Sequence, residues 1–253
     1  MTAPNGAKPK VAFFDFASCE GCQLTVVDAL QTHLGLLDAV EIVQFREAMS
    51  ERADDYQIAF IEGSCTRAVD EERLKAIRGR AQLVIALGAC AHMGGVNAGR
   101  ISQSLEAVRG YVYGAKAGTI DTGPVRPIGS VIPVDGYIPG CPIDREEFAR
   151  SVTALLQGRM PSLPDYPVCA ECRLHENVCV FQNGKACLGP VTRAGCGAIC
   201  PTYHAGCEGC RGLAPGANLP SLRSVLAEHG LDARAADDSL RLFLSAELAE
   251  HEA

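Results

Sequence analysis

The stretch KVAFFDFASCEGC, residues 10–22, decides how the chain is to be read. Lys10 to Phe16 is a nearly unbroken apolar run, as expected of a strand covered on both faces. It runs straight into Ala17-Ser18-Cys19-Glu20-Gly21-Cys22. A helix pattern follows, with Leu24, Val27, Leu30 and Leu34 spaced for one face and Gly35 placed to end it. The same pattern then repeats along the chain. Val40 to Phe45 reads as a second strand. Gln57 to Ile61 reads as a third and leads into Glu62-Gly63-Ser64-Cys65. Val69 to Arg78 is helical. Gln82 to Leu87 reads as a fourth strand ending in Gly88-Ala89-Cys90-Ala91-His92-Met93-Gly94-Gly95.

A Gly- and Pro-rich loop is expected from Gly110 to Gly129, then a short fifth strand from Val131 to Val134. That strand leads to Tyr137-Ile138-Pro139-Gly140-Cys141-Pro142, and a helix from Asp144 to Gln157 follows, with Asp144 as its N-cap. Strands alternating with helices imply an α/β, doubly wound parallel sheet, in which every strand's carboxyl end lies on one edge. Ligands of such folds sit outside that edge. Cys19, Cys22, Cys65, Cys90 and Cys141 all follow expected strands. Ordinary buried cysteines are common, but five at strand ends point to a convergent metal or cluster site.

A second cysteine-rich region follows Pro161, Pro164 and Pro167, which form a stiff linker. It carries Cys169-Ala-Glu-Cys172, Cys179, Cys187, Cys196, Cys200-Pro201 and Cys207-Glu-Gly-Cys210, eight of the chain's thirteen cysteines. Eight thiols suit two four-thiolate sites, and disulfides, zinc and iron–sulfur clusters compete for them. The Cys196-x3-Cys200-Pro201 piece matches the end of the bacterial ferredoxin run. Zinc sites usually show two compact knuckles, and here only the outermost pairs have that form. The spacing favours iron–sulfur clusters. Asn183-Gly184 signals a tight turn, and Ser221 to His229 and Ser239 to Leu248 read as short amphipathic helices. The expected division is residues 1–160 as the sheet domain and 161–253 as the cysteine-rich domain with a helical tail.

Composition narrows the possibilities. The chain has 253 residues, 47% hydrophobic and 21% charged, with net charge -7. That is enough to bury a core, and the negative balance argues against nucleic acid as a partner. No stretch approaches the roughly 20 apolar residues of a membrane span. Met1 to Lys10 shows no export signal, so a cytoplasmic location with reduced thiols is expected. An odd cysteine count also leaves a thiol over in any all-disulfide scheme.

Taken together, CEGCQLTVVD at 19–28, EGSCTR at 62–67, ALGACAHMGGVNA at 86–98, VRPIGSVIPVDGYIPGCPID at 125–144, CLGPVTRAGCGAICP at 187–201 and CEGCRG at 207–212 resemble the small subunit of nickel–iron hydrogenases. The match is nearest to the delta subunit of the cytoplasmic, bidirectional NAD(P)-linked enzymes and sulfhydrogenases. The resemblance implies a flavodoxin-like sheet domain and three [4Fe-4S] clusters. A proximal cluster would take Cys19, Cys22, Cys90 and Cys141. A distal cluster would take Cys169, Cys172, Cys179 and Cys187, and a medial one Cys196, Cys200, Cys207 and Cys210. Exported relatives have histidine where this chain has Cys169, and proline where it has Cys200.

The resemblance also implies partners: a large subunit holding the nickel–iron site, a flavin and NAD(P)-binding subunit, and further iron–sulfur subunits. The chain itself has neither GxGxxG nor GxxxxGK[ST]. It would be an electron-transfer subunit of a hydrogenase, not catalytic alone. Two other readings stay open: a quinone-reducing, complex-I-like subunit, and a zinc-stabilised binding module with no redox role. Cys65 has no assigned place and is expected near the proximal site. His92, His175 and His204 are expected to be bystanders where four cysteines serve each cluster, and Glu20 a solvated or interface carboxylate.

Overall fold

The computed structural model describes residues 7–251. The chain folds into two compact units, one ending at Ser162 and the other beginning at Leu163. The first unit is built on five parallel strands: β1 (Lys10–Asp15), β2 (Glu41–Phe45), β3 (Ile58–Glu62), β4 (Leu83–Leu87) and β5 (Gly136–Ile138). Their spatial order is β2-β1-β3-β4-β5, the doubly wound arrangement whose order reverses beside β1. Register is continuous from Val11 opposite Ile58 to Leu87 opposite Ile138.

Side chains alternate across this sheet because successive residues of a strand point to opposite faces. Val11 and Phe13 pack on one face with Phe45, Phe60 and Phe148. Ala12 and Phe14 pack on the other with Ile61, Leu74 and Ile77. Helices α1 (Gly21–Thr32), α2 (Gly35–Ala39) and α6 (Arg145–Leu156) cover the first face. Helix α3 (Ala68–Arg80) covers the second. Asp144 caps α6 by accepting from Glu147 N at 2.7 Å, as its sequence position suggested.

Three expectations are corrected. The fifth strand lies at Gly136–Ile138, not Val131–Val134. Ile128–Ser130 forms a 3₁₀ turn, and Pro133 has no N–H to give to a ladder. The region expected to be loop holds α5 (Leu105–Tyr113), capped by Ser104, and a further 3₁₀ turn at Gly114–Thr119. The buried face of α1 carries Cys22, Gln23, Val26 and Ala29, while Leu24 and Leu34 are exposed, and Gly35 begins α2 rather than ending α1. Helix α4 (Gly88–Met93) follows β4 directly.

The second unit has little regular structure around its cysteines. It contains α7 (Val168–Leu174), a 3₁₀ turn at Val180–Asn183 closed by Gly184, α8 (Ile199–Thr202), α9 (Leu219–Glu228) and α10 (Ala233–His251). The expected short helix at 239–248 is the interior of α10. Its Leu240, Phe243, Leu244 and Leu248 are buried as the pattern indicated. Val168, Val180, Cys187, Ala198 and Cys207 form the core beneath the cysteine loops.

Candidate iron–sulfur sites

The carboxyl edge of the sheet delivers four thiols of the first unit. Cys19 and Cys22 follow β1, Cys90 sits in α4 after β4, and Cys141 follows β5. They stand within electrostatic reach of one another. Burial pushes the Cys90 thiol up to about 12, and the thiols of Cys141 and Cys19 and the carboxylate of Glu62 add to the rise. Burial first, then Glu62, Cys141 and Cys90, raise Cys22 well above the ordinary thiol range. Crowded thiolates repel, so in the bare protein Cys22 and Cys90 hold their protons until cations replace them.

The backbone is shaped around this point. Gly88 has φ +83°, and a β-carbon there would stand 2.4 Å from Cys22 Sγ. Only glycine satisfies both conditions. Ala89 N donates to Gly140 O at 2.7 Å, which ties the start of α4 to the turn bearing Cys141. Glu62, 2% exposed at the end of β3, closes the site from below. Its two carboxylate oxygens accept from Cys22 N and Gln23 N, each at 3.1 Å, and so hold the open N-terminus of α1. Burial raises the Glu62 pKa, partly offset by those N–H donors. Asn97 Nδ2 reaches Ala17 O at 2.9 Å and lies 3.9 Å from Cys90 Sγ.

Cys65 is corrected. It is fully buried on the sheet face opposite Cys22, among Phe16, Ala91 and Ile128. Arg126 Nη2 donates to its sulfur at 3.3 Å. It belongs to the core and to Arg126. His92 stacks on Tyr137 with ring centres 3.7 Å apart. Glu20, at φ +63° before α1, has its pKa raised chiefly by a hydrogen bond with Glu47.

In the second unit, burial raises Cys169 to about 11, with Cys187, Cys172 and Cys179 adding to it in that order. Those are the four thiols expected together. Cys200 is raised by burial and then by Cys196, and Cys207 by burial, with smaller rises from Cys187 and Cys210. Cys187 stands between the groups. Its sulfur accepts from Gly189 N at 3.4 Å and from Cys207 N at 3.2 Å. A β-carbon on Gly189 would lie 3.3 Å from Cys187 Sγ and 3.4 Å from Cys169 Sγ. No disulfide joins any of the cysteines. His175 Nε2 lies beside Gly197, 3.8 Å from where a β-carbon would stand, and His204 accepts from Lys185 Nζ through its carbonyl.

This donor set fits iron–sulfur clusters: soft thiols in groups, with N–H donors aimed at sulfur, the interaction that sets cluster potentials. Among the described residues, no three of His, Cys, Asp and Glu are gathered tightly enough to hold one metal ion. A cubane gives each thiolate its own corner iron and does not require such a gathering. The thiols were legible in the sequence, whereas Glu62, Asn97, Glu171 and Arg126 were missed.

A profile of the family described as NADH ubiquinone oxidoreductase, 20 Kd subunit, matches residues 19–155. The chain belongs to this family. Within it, this small subunit stands with hydrogenase subunits. It is 39% identical over 221 residues to Sulfhydrogenase 2 subunit delta of Pyrococcus furiosus, covering 87% of this chain and 92% of that one. A match over 87% of the chain cannot avoid the cysteine region at 169–210. NAD-reducing hydrogenase HoxS subunit delta of Cupriavidus necator is 30% identical over 181 residues, 65% of this chain and 86% of that one. A crystal structure of an NAD+-reducing [NiFe]-hydrogenase superposes with TM-score 0.57 at 30% identity, covering 62% of the small subunit and 96% of the matched chain. No helix among the described residues is long and apolar enough to cross a membrane.

Proposed function

We propose that this small subunit carries electrons through three [4Fe-4S] clusters, between the nickel–iron site of a large subunit and a flavin and NAD(P)-binding subunit, in the cytoplasm. The observation that supports it best is the grouping of thiols. Cys19, Cys22, Cys90 and Cys141 converge at one sheet edge, and Cys169, Cys172, Cys179 and Cys187 cluster in the second unit, with Cys196, Cys200, Cys207 and Cys210 beside them. When bound, such clusters supply one-electron relay at potentials tuned by their surroundings. The chain's own residues hold and tune. Glu62 fixes Cys22, and N–H groups of Gly189 and Cys207 withdraw charge from Cys187. Cys200 supplies a fourth thiol to the medial set. Further iron–sulfur subunits would continue the relay.

The family description, which names a quinone reductase, supports a second reading as a complex-I-like electron-transfer subunit. It rests on residues 19–155 and stops short of the eight-cysteine region. The hydrogenase relatives match through that region, and the hydrogenase reading is therefore preferred. Iron and acid-labile sulfide analysis of the anaerobic complex tests it. About twelve iron per chain is expected. A reproducible eight iron, or zinc in its place, overturns the three-cluster assignment. Hydrogen uptake by this chain alone would overturn its role as a carrier.

A further inference from the structure

Glu171 lies within the Cys169-Ala170-Glu171-Cys172 loop, yet its carboxylate serves the other set of cysteines. Oε1 accepts from Gly195 N at 2.8 Å and Oε2 from Ala198 N at 3.2 Å. Cys196 sits between those two N–H groups. The turn that carries it is left-handed almost throughout, with φ +117° at Gly195, +62° at Gly197 and +50° at Ala198. Glycine tolerates that region. Alanine does not, and a side-chain-bearing residue stays there only where its surroundings hold it. Successive N–H groups in such a turn point inward and form a nest for an anion. Here the anion is Glu171, supplied from the neighbouring loop.

The nest also faces the thiol. Burial raises the Cys196 thiol, and the N–H groups of Ala198 and Ile199 oppose that rise. If the carboxylate left, Ala198 would be free to relax into ordinary backbone, and those N–H groups would turn away from the sulfur. A second tie runs in the opposite direction, from Cys207 N to Cys187 Sγ at 3.2 Å. Both oxygens of Glu171 are engaged by N–H donors, so it acts through the turn and not as a ligand.

We infer that Glu171 is a positioning residue: its carboxylate holds the Gly195–Ala198 turn so that Cys196 is presented to its cluster. The inference rests on the cluster assignment proposed above.

The test uses the anaerobic complex with Glu171→Ala and Glu171→Gln, alongside Cys196→Ser. Cys196→Ser identifies which paramagnetic signal belongs to that cluster. Glu171→Ala is expected to lose that signal and about four iron per chain. Glu171→Gln keeps one acceptor oxygen but turns an NH2 toward the second N–H. It is expected to keep its iron while shifting that signal and that cluster's midpoint potential. The signal of the first unit's cluster stays as in the wild type in both variants.

An unchanged signal and potential in both variants overturns the inference. So does an equal loss of all three signals, which marks general destabilisation. If Glu171→Ala does not accumulate, Glu171→Gln decides alone. If Cys196→Ser alters neither iron nor spectrum, the cluster assignment itself falls and takes this inference with it, an outcome distinct from failure of the Glu171 variants alone.

Discussion

At the scale of single residues, the first unit's site is limited by space as much as by ligands. A β-carbon on Gly88 would sit 2.4 Å from Cys22 Sγ in a backbone region that side chains avoid. Gly88→Ala should therefore cost the complex about four iron per chain, although it removes no ligand. Gly110, with open space around it, is the control, and Gly110→Ala should leave iron content unchanged. Cys65→Ala makes the complementary test. Its sulfur meets Arg126 and the core, so iron and spectra should match the wild type, while Cys90→Ser should not. Iron analysis of the four variants settles both points; loss of a cluster in Cys65→Ala would restore that thiol as a ligand.

Among elements, the strands were legible because parallel strands buried on both faces read as unbroken apolar runs. β5 escaped because its three residues, Gly136, Tyr137 and Ile138, give too little pattern, while Val131 to Val134 looked more strand-like and includes a proline. The face of α1 was misread for a different reason. Its buried face carries Cys22, Gln23, Val26 and Ala29, with Val27 and Leu30 packed against it as expected and Leu24 and Leu34 left exposed. Cysteines announce themselves by type and by position after strands. Glu62 and Glu171 do not, because accepting backbone N–H groups requires the fold to exist. Helix α3 offers an element-scale prediction. Asp70, 2% exposed, accepts from Thr66 N, Arg67 N and the Arg67 guanidinium. Burial works against its charge, yet these donors win and hold its pKa below the usual 3.8. Asp70→Asn should cost about 1–2 kcal/mol at neutral pH. A depressed carboxylate stabilises fully above its unfolded pKa and loses that contribution as pH falls through the folded one. The difference from wild type in denaturant titrations should therefore start to close below pH 3.8. A gap that stays constant into stronger acid would show that the charge is not what stabilises the cap. Gly79, exposed near the end of α3 with open space around it, should gain up to about 1 kcal/mol on replacement by alanine, read in the same titrations.

On the scale of the whole molecule, Cys19, Cys141 and Cys179 are exposed while Cys22, Cys187 and Cys207 are buried. Brief alkylation of the iron-free chain should mark the first three before the others. In the loaded complex all twelve proposed ligands should resist, because a thiolate bound to iron is no longer a free nucleophile. Labelling of Cys19 or Cys141 in the loaded complex would remove them from the ligand set. The order β2-β1-β3-β4-β5 has one more consequence, and it concerns time. The last thiol of the first unit's site, Cys141, is attached to the edge strand that is also synthesised last. At ribosomal rates of about 5–20 residues per second, roughly 6 to 24 seconds separate the emergence of Cys19 from that of Cys141. Until Cys141 emerges, the growing chain offers at most three of the four proposed site thiols, Cys19, Cys22 and, later, Cys90. Iron delivered to it then would be held at three corners only and easily lost. If Cys19, Cys22, Cys90 and Cys141 hold a cluster as proposed, its loading belongs after translation has passed Cys141, on a finished sheet edge and not on a nascent chain.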